Sequence, residues 1–316
     1  MTVIGIDLGG TKIAAAVFGN DAKMLLKEVC LLDGAGGEEA GALVAGTVKS
    51  LVSKYDGQID AIGVCVPGIA YSRTGRVWAP NIPGWTDFPL KSVLEEAAPG
   101  IPVRIESDRT CYILGEEWQG AAAGCRNAIY IAVGTGIGAG ILLDGHIIHG
   151  AGDIAGATGW MALQYPYSSD YDECGCFEHY ASGNGIGLQA RKAAREAGLD
   201  SLWGKETEKI TSHDVFDAYG KGEPIAEKVL GKAVEMWGMG AANLVSLFNP
   251  EKVIFGGGVF GPAAMFIDRI YEEALKWGQP IAMRNTVFTA SAVQGEAALI
   301  GAASLALRSS GECGIL

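Results

Sequence analysis

The chain has 316 residues, 49% of them hydrophobic, and a formal charge of −12. That length exceeds one small core and makes two domains of ordinary size the expectation. The negative charge argues against a nucleic-acid backbone or an anionic membrane as main partner, but not against a nucleotide in a local pocket.

In chain order, strands are predicted at Val3–Asp7, Ile13–Phe18 and Met24–Val29, followed by an amphipathic helix near Glu38–Lys54. A buried strand at Asp60–Val66 ends in Pro67-Gly68. Arg73–Trp85 forms a loop or short hairpin, with turn signals at Thr74-Gly75 and Pro83-Gly84. A short helix at Leu90–Ala97 leads to the strand Pro102–Glu106, and a helix over Thr110–Gly120 begins at or just after Ser107-Asp108. The first lobe is therefore β-β-β-α-β-α-β-α.

The second lobe opens with a strand pair around Gly134–Gly138, then a Gly-rich loop at Gly150–Gly159 and a polar segment at Ser168–Cys176. Helices are predicted near Gly185–Ala197, His213–Tyr219 and Ala226–Phe248, the last cut off by Asn249-Pro250. Strand Val253–Phe255, a helix near Pro262–Trp277, strand Val287–Ala290 and a final helix near Glu296–Leu307 complete the order. No Ser/Pro/Gly tract or charge block marks a linker, so structured crossings and a cleft between the lobes are expected.

Two glycine turns after apolar strands carry the chemistry: Asp7-Leu8-Gly9-Gly10-Thr11-Lys12 and Val133-Gly134-Thr135-Gly136-Ile137-Gly138. Each can bring backbone N–H groups and a Thr hydroxyl against phosphate oxygens. Either alone could equally be a hairpin, and neither fits G-x-x-x-x-G-K-[ST] or G-x-G-x-x-G. As a pair, with a third run at Gly256-Gly257-Gly258, they suggest two similar lobes gripping one nucleotide. Asp7, at a strand's carboxyl end, could hold Mg²⁺ through water or simply form the turn. Lys12 could assist the phosphates or be a solvated strand residue. Asp108 suits a general base for phosphoryl transfer, and equally a helix N-cap. A helix N-terminus would keep its carboxylate ionised.

The seven cysteines are odd in number and scattered, and a strand begins by residue 3, so no signal peptide is predicted and a reducing cytoplasm is the expected compartment. Apolar stretches are interrupted by Gly and fall short of the roughly 18 residues needed to span a bilayer.

These motifs, with Val66-Pro67-Gly68, Ala79-Pro80-Asn81-Ile82-Pro83-Gly84-Trp85, Glu106-Ser107-Asp108 and Glu178-His179-Tyr180-Ala181-Ser182-Gly183, resemble in order the ROK family of repressors, open reading frames and sugar kinases. The resemblance implies an α/β fold of the duplicated actin-like (ribonuclease H-like) kind, with ATP and a sugar meeting in the interdomain cleft. Its small lobe is expected at residues 1–118, completed by the C-terminal helix 296–316, and its larger lobe at 119–295. The resemblance further implies Asp108 as base toward a sugar hydroxyl, C6 by analogy, with Mg²⁺. It assigns Gly9, Gly10, Thr11 and Lys12 to one phosphate loop and Gly134, Thr135 and Gly136 to the other. Gly256, Gly257 and Gly258 fall beside the adenosine, and Gly68, Asn81 and Glu178 in the sugar site. A homodimer through the second lobe is expected. Family repressors carry a DNA-binding domain ahead of the first loop; this chain starts at that loop, which favours the kinase branch.

The departures are specific. Family kinases read Glu-Asn-Asp where Ser107 replaces the amide, and carry Glu-x-x-His where this chain has Ala157 and Trp160. The first two Cys positions of the family's zinc motif hold Ser169 and Tyr171; Cys174, Cys176 and His179 make a cramped, incomplete set, so no structural zinc is expected. The changes at Ser107, Ala157 and Trp160 remove polar contacts near the sugar's C1 and C2 and add an aromatic face, which suits a glycoside or modified sugar over free glucose. Alternatively Trp160 merely fills the volume of the lost metal loop. An ordinary glucokinase or amino-sugar kinase, and a non-catalytic sugar-binding protein, remain the other readings.

Overall fold

The computed structural model of the protein describes residues 1–293 and 295–311. The chain divides into two units: one comprises Met1–Gly124, Ile148–Ala155 and the chain from Ala292 onward, the other Cys125–Ile147 and Gly156–Ser291.

The first unit opens with β1 (Thr2–Leu8), β2 (Lys12–Gly19), β3 (Met24–Leu31), α1 (Gly37–Lys54), β4 (Ala61–Val66), β5 (Ile69–Tyr71) and β6 (Arg76–Trp78). It continues through α2 (Leu90–Ala97), β7 (Val103–Ser107) and α3 (Asp108–Gln119). The main sheet has the order β3-β2-β1-β4-β7, with β1 antiparallel to β2 and parallel to β4. Buried on both faces, β1 and β4 are almost continuously apolar, whereas β3 at the edge alternates half-buried and exposed residues. The hairpin predicted within Arg73–Trp85 starts earlier, pairing Ile69 with Trp78 around the Thr74-Gly75 turn.

In the second unit lie β8 (Ala128–Val133), β9 (Ile137–Leu143), β10 (His146–Ile147), α4 (Cys176–Ala181), α5 (Gly183–Glu196) and the short pair β11 (Ser201–Leu202) and β12 (Lys205–Glu206). There follow α6 (Ser212–Tyr219), α7 (Pro224–Phe248), β13 (Lys252–Gly256), α8 (Ile267–Leu275), α9 (Pro280–Asn285) and β14 (Val287–Ala290). α7 starts with Pro at its first turn and ends at Asn249 in the left-handed region (φ 45°), just before Pro250. The single helix expected over Pro262–Trp277 is instead a 3₁₀ run, Pro262–Phe266, followed by α8. Phe266 is buried there with its ring edge-on to Tyr219, so the tighter turn serves packing.

The second sheet has the order β10-β9-β8-β13-β14, again with an antiparallel hairpin first and two parallel strands after it. One topology thus occurs twice, which is the duplicated α/β, actin-like arrangement that the motifs implied.

The last helix, α10 (Ala297–Gly311), returns to the first unit. Residues 312–316 of the helix expected at 296–316 lie outside the described residues. Val3 on β1 and Ala61 on β4 cluster with Leu299 and Ala303 of α10, while Ile4, Ile6 and Leu8 cluster with Val44 and Val48 of α1. Alternate residues of one strand therefore serve opposite layers. A Cβ at Gly63 would stand 1.9 Å from the Ala302 carbonyl oxygen, so only glycine lets α10 lie this close to the sheet. Among the described residues, no helix is long and apolar enough to cross a membrane.

Candidate active site

In the first unit the parallel strands β1, β4 and β7 end together, and this edge collects the expected acids. Asp7 pairs in register with Cys65, and Val66 with Ser107, the residue before Asp108. The Cys65 thiol lies beside the Asp7 carboxylate. Burial raises the Asp7 pKa, opposed by that thiol and by Lys12. Asp108 is pushed up to about 6, first by burial and further by the charge of Asp7, with Arg109 opposing. Desolvation sets the direction of the shift, yet at about 6 the carboxylate is still ionised at neutral pH, as the helix terminus led one to expect.

The capping role goes to the neighbour. Ser107 is the N-cap of α3, its hydroxyl oxygen 3.4 Å from the Thr110 N–H, while Asp108 begins the helix with Oδ1 accepting the Arg109 N–H at 2.8 Å. The buried Ser107 hydroxyl also donates to Thr110 Oγ1, so it is engaged within the helix.

Gly9, Gly10 and Thr11 form the turn joining β1 to β2, with the Gly9 N–H donating to the Lys12 carbonyl at 2.9 Å. Thr11 and Lys12 are exposed. A Cβ at Gly10 would lie 3.0 Å from Asn81 Cβ, so this turn and the exposed Asn81 are neighbours. Gly68 lets the backbone pass: a Cβ there would be 2.0 Å from the Trp78 carbonyl oxygen.

Within the second unit, a cavity of about 510 Å³ is lined by Gly134, Thr135 and Gly258, together with residues the sequence did not single out, among them Asn184, Arg191, Ser212 and Phe216. Gly134–Gly136 is the β8–β9 hairpin turn, so hairpin and phosphate loop are not exclusive readings. The N-terminus of α5 meets this turn: Ser182 caps the helix by accepting the Gly185 N–H at 2.9 Å, and the Gly183 N–H donates to the Gly134 carbonyl at 2.7 Å. A Ser-Gly-Asn-Gly run opening a helix was the available signal for an anion-binding end.

The other expected glycines sit outside the cavity lining. Gly256 is buried, its Cβ position 1.8 Å from the Tyr130 hydroxyl oxygen, and Gly257 takes φ 89° under the Val133 carbonyl. Gly136 faces Glu178, whose Oε2 would be 2.6 Å from a Cβ there. The same carboxylate oxygen accepts the Ile137 N–H at 2.6 Å, and burial raises the Glu178 pKa against that bond.

Ala157 is half-buried, and Trp160, ending the 3₁₀ turn Thr158–Trp160, is 58% exposed. Trp160 therefore does not fill the space of a lost metal loop. Tyr171, by contrast, is buried, its ring edge-on to His179, and its hydroxyl is 3.0 Å from that of Tyr180. Cys176 is buried and Cys174 half-buried, and burial pushes the Cys174 thiol up from its ordinary value. Among the described residues, no group of three His, Cys, Asp or Glu side chains is placed to hold a metal ion.

Residues 3–309 match the family model described as the ROK family. The chain belongs to the ROK family. This ROK protein is 31% identical over 312 residues to a glucokinase of Halalkalibacterium halodurans, covering 94% of this chain and 92% of the relative. It is 26% identical over 260 residues to a beta-glucoside kinase of Klebsiella pneumoniae, covering 82% of each. A Streptomyces griseus ROK glucokinase, solved with glucose and AMPPNP, aligns over 98% of this chain and 100% of its own, at TM-score 0.77 and 29% identity.

Proposed function

We propose that Asp108 is the general base of this ROK protein, and that its acceptor is the C6 hydroxyl of a glycoside or a sugar modified near C1 or C2. The chain is an ATP-dependent sugar kinase. The observation that carries the assignment is the place of Asp108, directly after β7 and raised to about 6 by burial and by the charge of Asp7, which stands near the end of the parallel strand β1. A carboxyl group at that value is ionised at neutral pH yet basic enough to take a hydroxyl proton.

Asp7 lies close enough to raise Asp108, and two neighbouring carboxylates suit a divalent cation; Asp7 would hold Mg²⁺ through water, and the ion would neutralise phosphate charge. Gly9–Lys12 and Gly134–Thr135 would cradle the triphosphate, with the adenosine beside Gly258. Gly68, Asn81 and Glu178 would line the sugar site, and Trp160 offers an open aromatic face for an aglycone. With its hydroxyl engaged in the α3 cap, Ser107 would leave the acceptor less tightly specified than an amide there. The name of the Klebsiella pneumoniae relative agrees with a glycoside acceptor. We assign no structural zinc; the Tyr171–Tyr180 contact would hold the 168–176 segment in its place. Apolar Leu247, Trp277 and Ile281, exposed on the second unit, support a homodimer.

A kinetic panel of glucose, amino sugars, and alkyl and aryl glucosides tests the acceptor. Higher kcat/KM for glucosides is expected; free glucose ranking first would overturn that assignment.

A further inference from the structure

A second cavity, about 310 Å³, lies in the first unit along β7, the strand at the free edge of its sheet. Its polar wall consists of Tyr71 and Ser72 at the end of β5, Lys91 of α2, and Arg104 and Glu106 of β7. The acids nearby are already engaged. Glu106 Oε1 lies 2.8 Å from His149 Nε2, and Asp153 accepts the Ser72 backbone N–H at 3.1 Å. The closest carboxylate to Lys91 is Glu95, at 3.8 Å. Among the described residues, the Arg104 guanidinium and the hydroxyls of Ser72 and Tyr71 have no partner.

What the cavity leaves uncommitted is therefore a guanidinium, a loosely paired ammonium and two hydroxyls, which are donors facing a shared space. The planar fork of Arg104 matches two oxygens of a phosphate, and Lys91 adds a point charge. The stem of Lys91 lies against Gly75, where a Cβ would stand 2.6 Å from it. The volume falls at the small end of ligand pockets, roughly 300–1,000 Å³.

We propose that this cavity is a second ligand site, outside the reaction site, that binds a small phosphate monoester of sugar-phosphate size, with Arg104 and Lys91 on the phosphate. Because β7 runs from Arg104 directly into Ser107 and Asp108, an occupant there would act back on turnover. That consequence rests on the kinase reading; the binding does not.

Titration calorimetry with glucose 6-phosphate, inorganic phosphate and glucose tests the site without any turnover. Arg104 is exposed on an edge strand, so Arg104→Ala leaves the core intact, and unchanged AMPPNP affinity in the variant confirms its fold. The expected result is saturable binding of glucose 6-phosphate, weakened about tenfold or more by Arg104→Ala and less by Arg104→Lys, with no loss in Lys91→Arg. Inorganic phosphate is expected to bind more weakly, and glucose not at this site. Equal affinity for inorganic phosphate would overturn the ester assignment in favour of the free ion. Ester binding that survives Arg104→Ala undiminished, or none at all, would overturn the site.

Discussion

Asp108 is under two opposed demands. As a base it gains from burial, which raises it to about 6; as part of a folded chain it loses, because burial disfavours its charge. kcat/KM is expected to fall on the acid side with a midpoint near pH 6, and a profile flat to lower pH would separate Asp108 from the reaction. The folded pKa lies above the ordinary 3.8, so the ionised group costs stability above about pH 6 and nothing below the unfolded value. Asp108→Asn should therefore abolish turnover yet stabilise the fold by about 1–2 kcal/mol at neutral and higher pH, the gain vanishing near pH 4. Urea denaturation at the two pH values reads this directly. Gly136 gives a second residue-scale test. A methyl group there would stand 2.6 Å from Glu178 Oε2, so the carboxylate would have to turn away and release the Ile137 N–H. Gly136→Ala is expected to raise the acceptor KM about tenfold while leaving nucleotide affinity unchanged. Loss of nucleotide affinity with normal acceptor KM would return Gly136 to the phosphate loop.

At the scale of elements, the strands and most helices were legible because their apolar periodicity is strong: α2 and β14 occupy the residues the pattern marked. α4 and α9, six residues each, are too short for a helical period to register. Asp7 and Asp108 were legible from their places after strands, whereas the contact of Gly136 with Glu178 joins residues about 40 apart and leaves no local mark. The same holds for residues 148–155, which pack with the first unit although the chain on both sides belongs to the second. His149 ties this segment to β7 through Glu106, a pair separated by 43 residues. Glu106, and to a lesser degree Asp153, raise the His149 pKa above its ordinary 6.5 against burial. Such a pair stabilises fully below 6.5 and loses its contribution as pH rises through the raised value. His149→Gln is expected to cost about 0.5–1 kcal/mol near pH 6 and close to nothing near pH 9, the pair being partly exposed. An equal cost at both values, by chemical denaturation, would reduce His149 to a packing residue.

For the whole molecule, the repeated strand order follows from one local grammar used twice: an antiparallel hairpin with a glycine turn, then two parallel strands reached by crossovers. The turns were visible as motifs. The paired turns and the family resemblance also pointed to two similar lobes, whereas the order of strands in each sheet was not legible, because it lies in which strands pair rather than in matching residues. The surface of the second unit carries a further consequence. Leu247 is 73% exposed at the end of α7, and Trp277 and Ile281 are 61% and 60% exposed before and within α9. These segments adjoin, since the Gln279 N–H donates to Ser246 Oγ at 3.1 Å. Large apolar side chains brought together this way are costly in water and suit a self-complementary twofold contact. Analytical ultracentrifugation of the unmodified protein is expected to give a dimer at micromolar concentration. Trp277→Glu should shift it to monomer, because a charge buried at the contact would lack a partner. A monomeric parent protein, or a dimer indifferent to the charge, would mean this surface has another occupant or none.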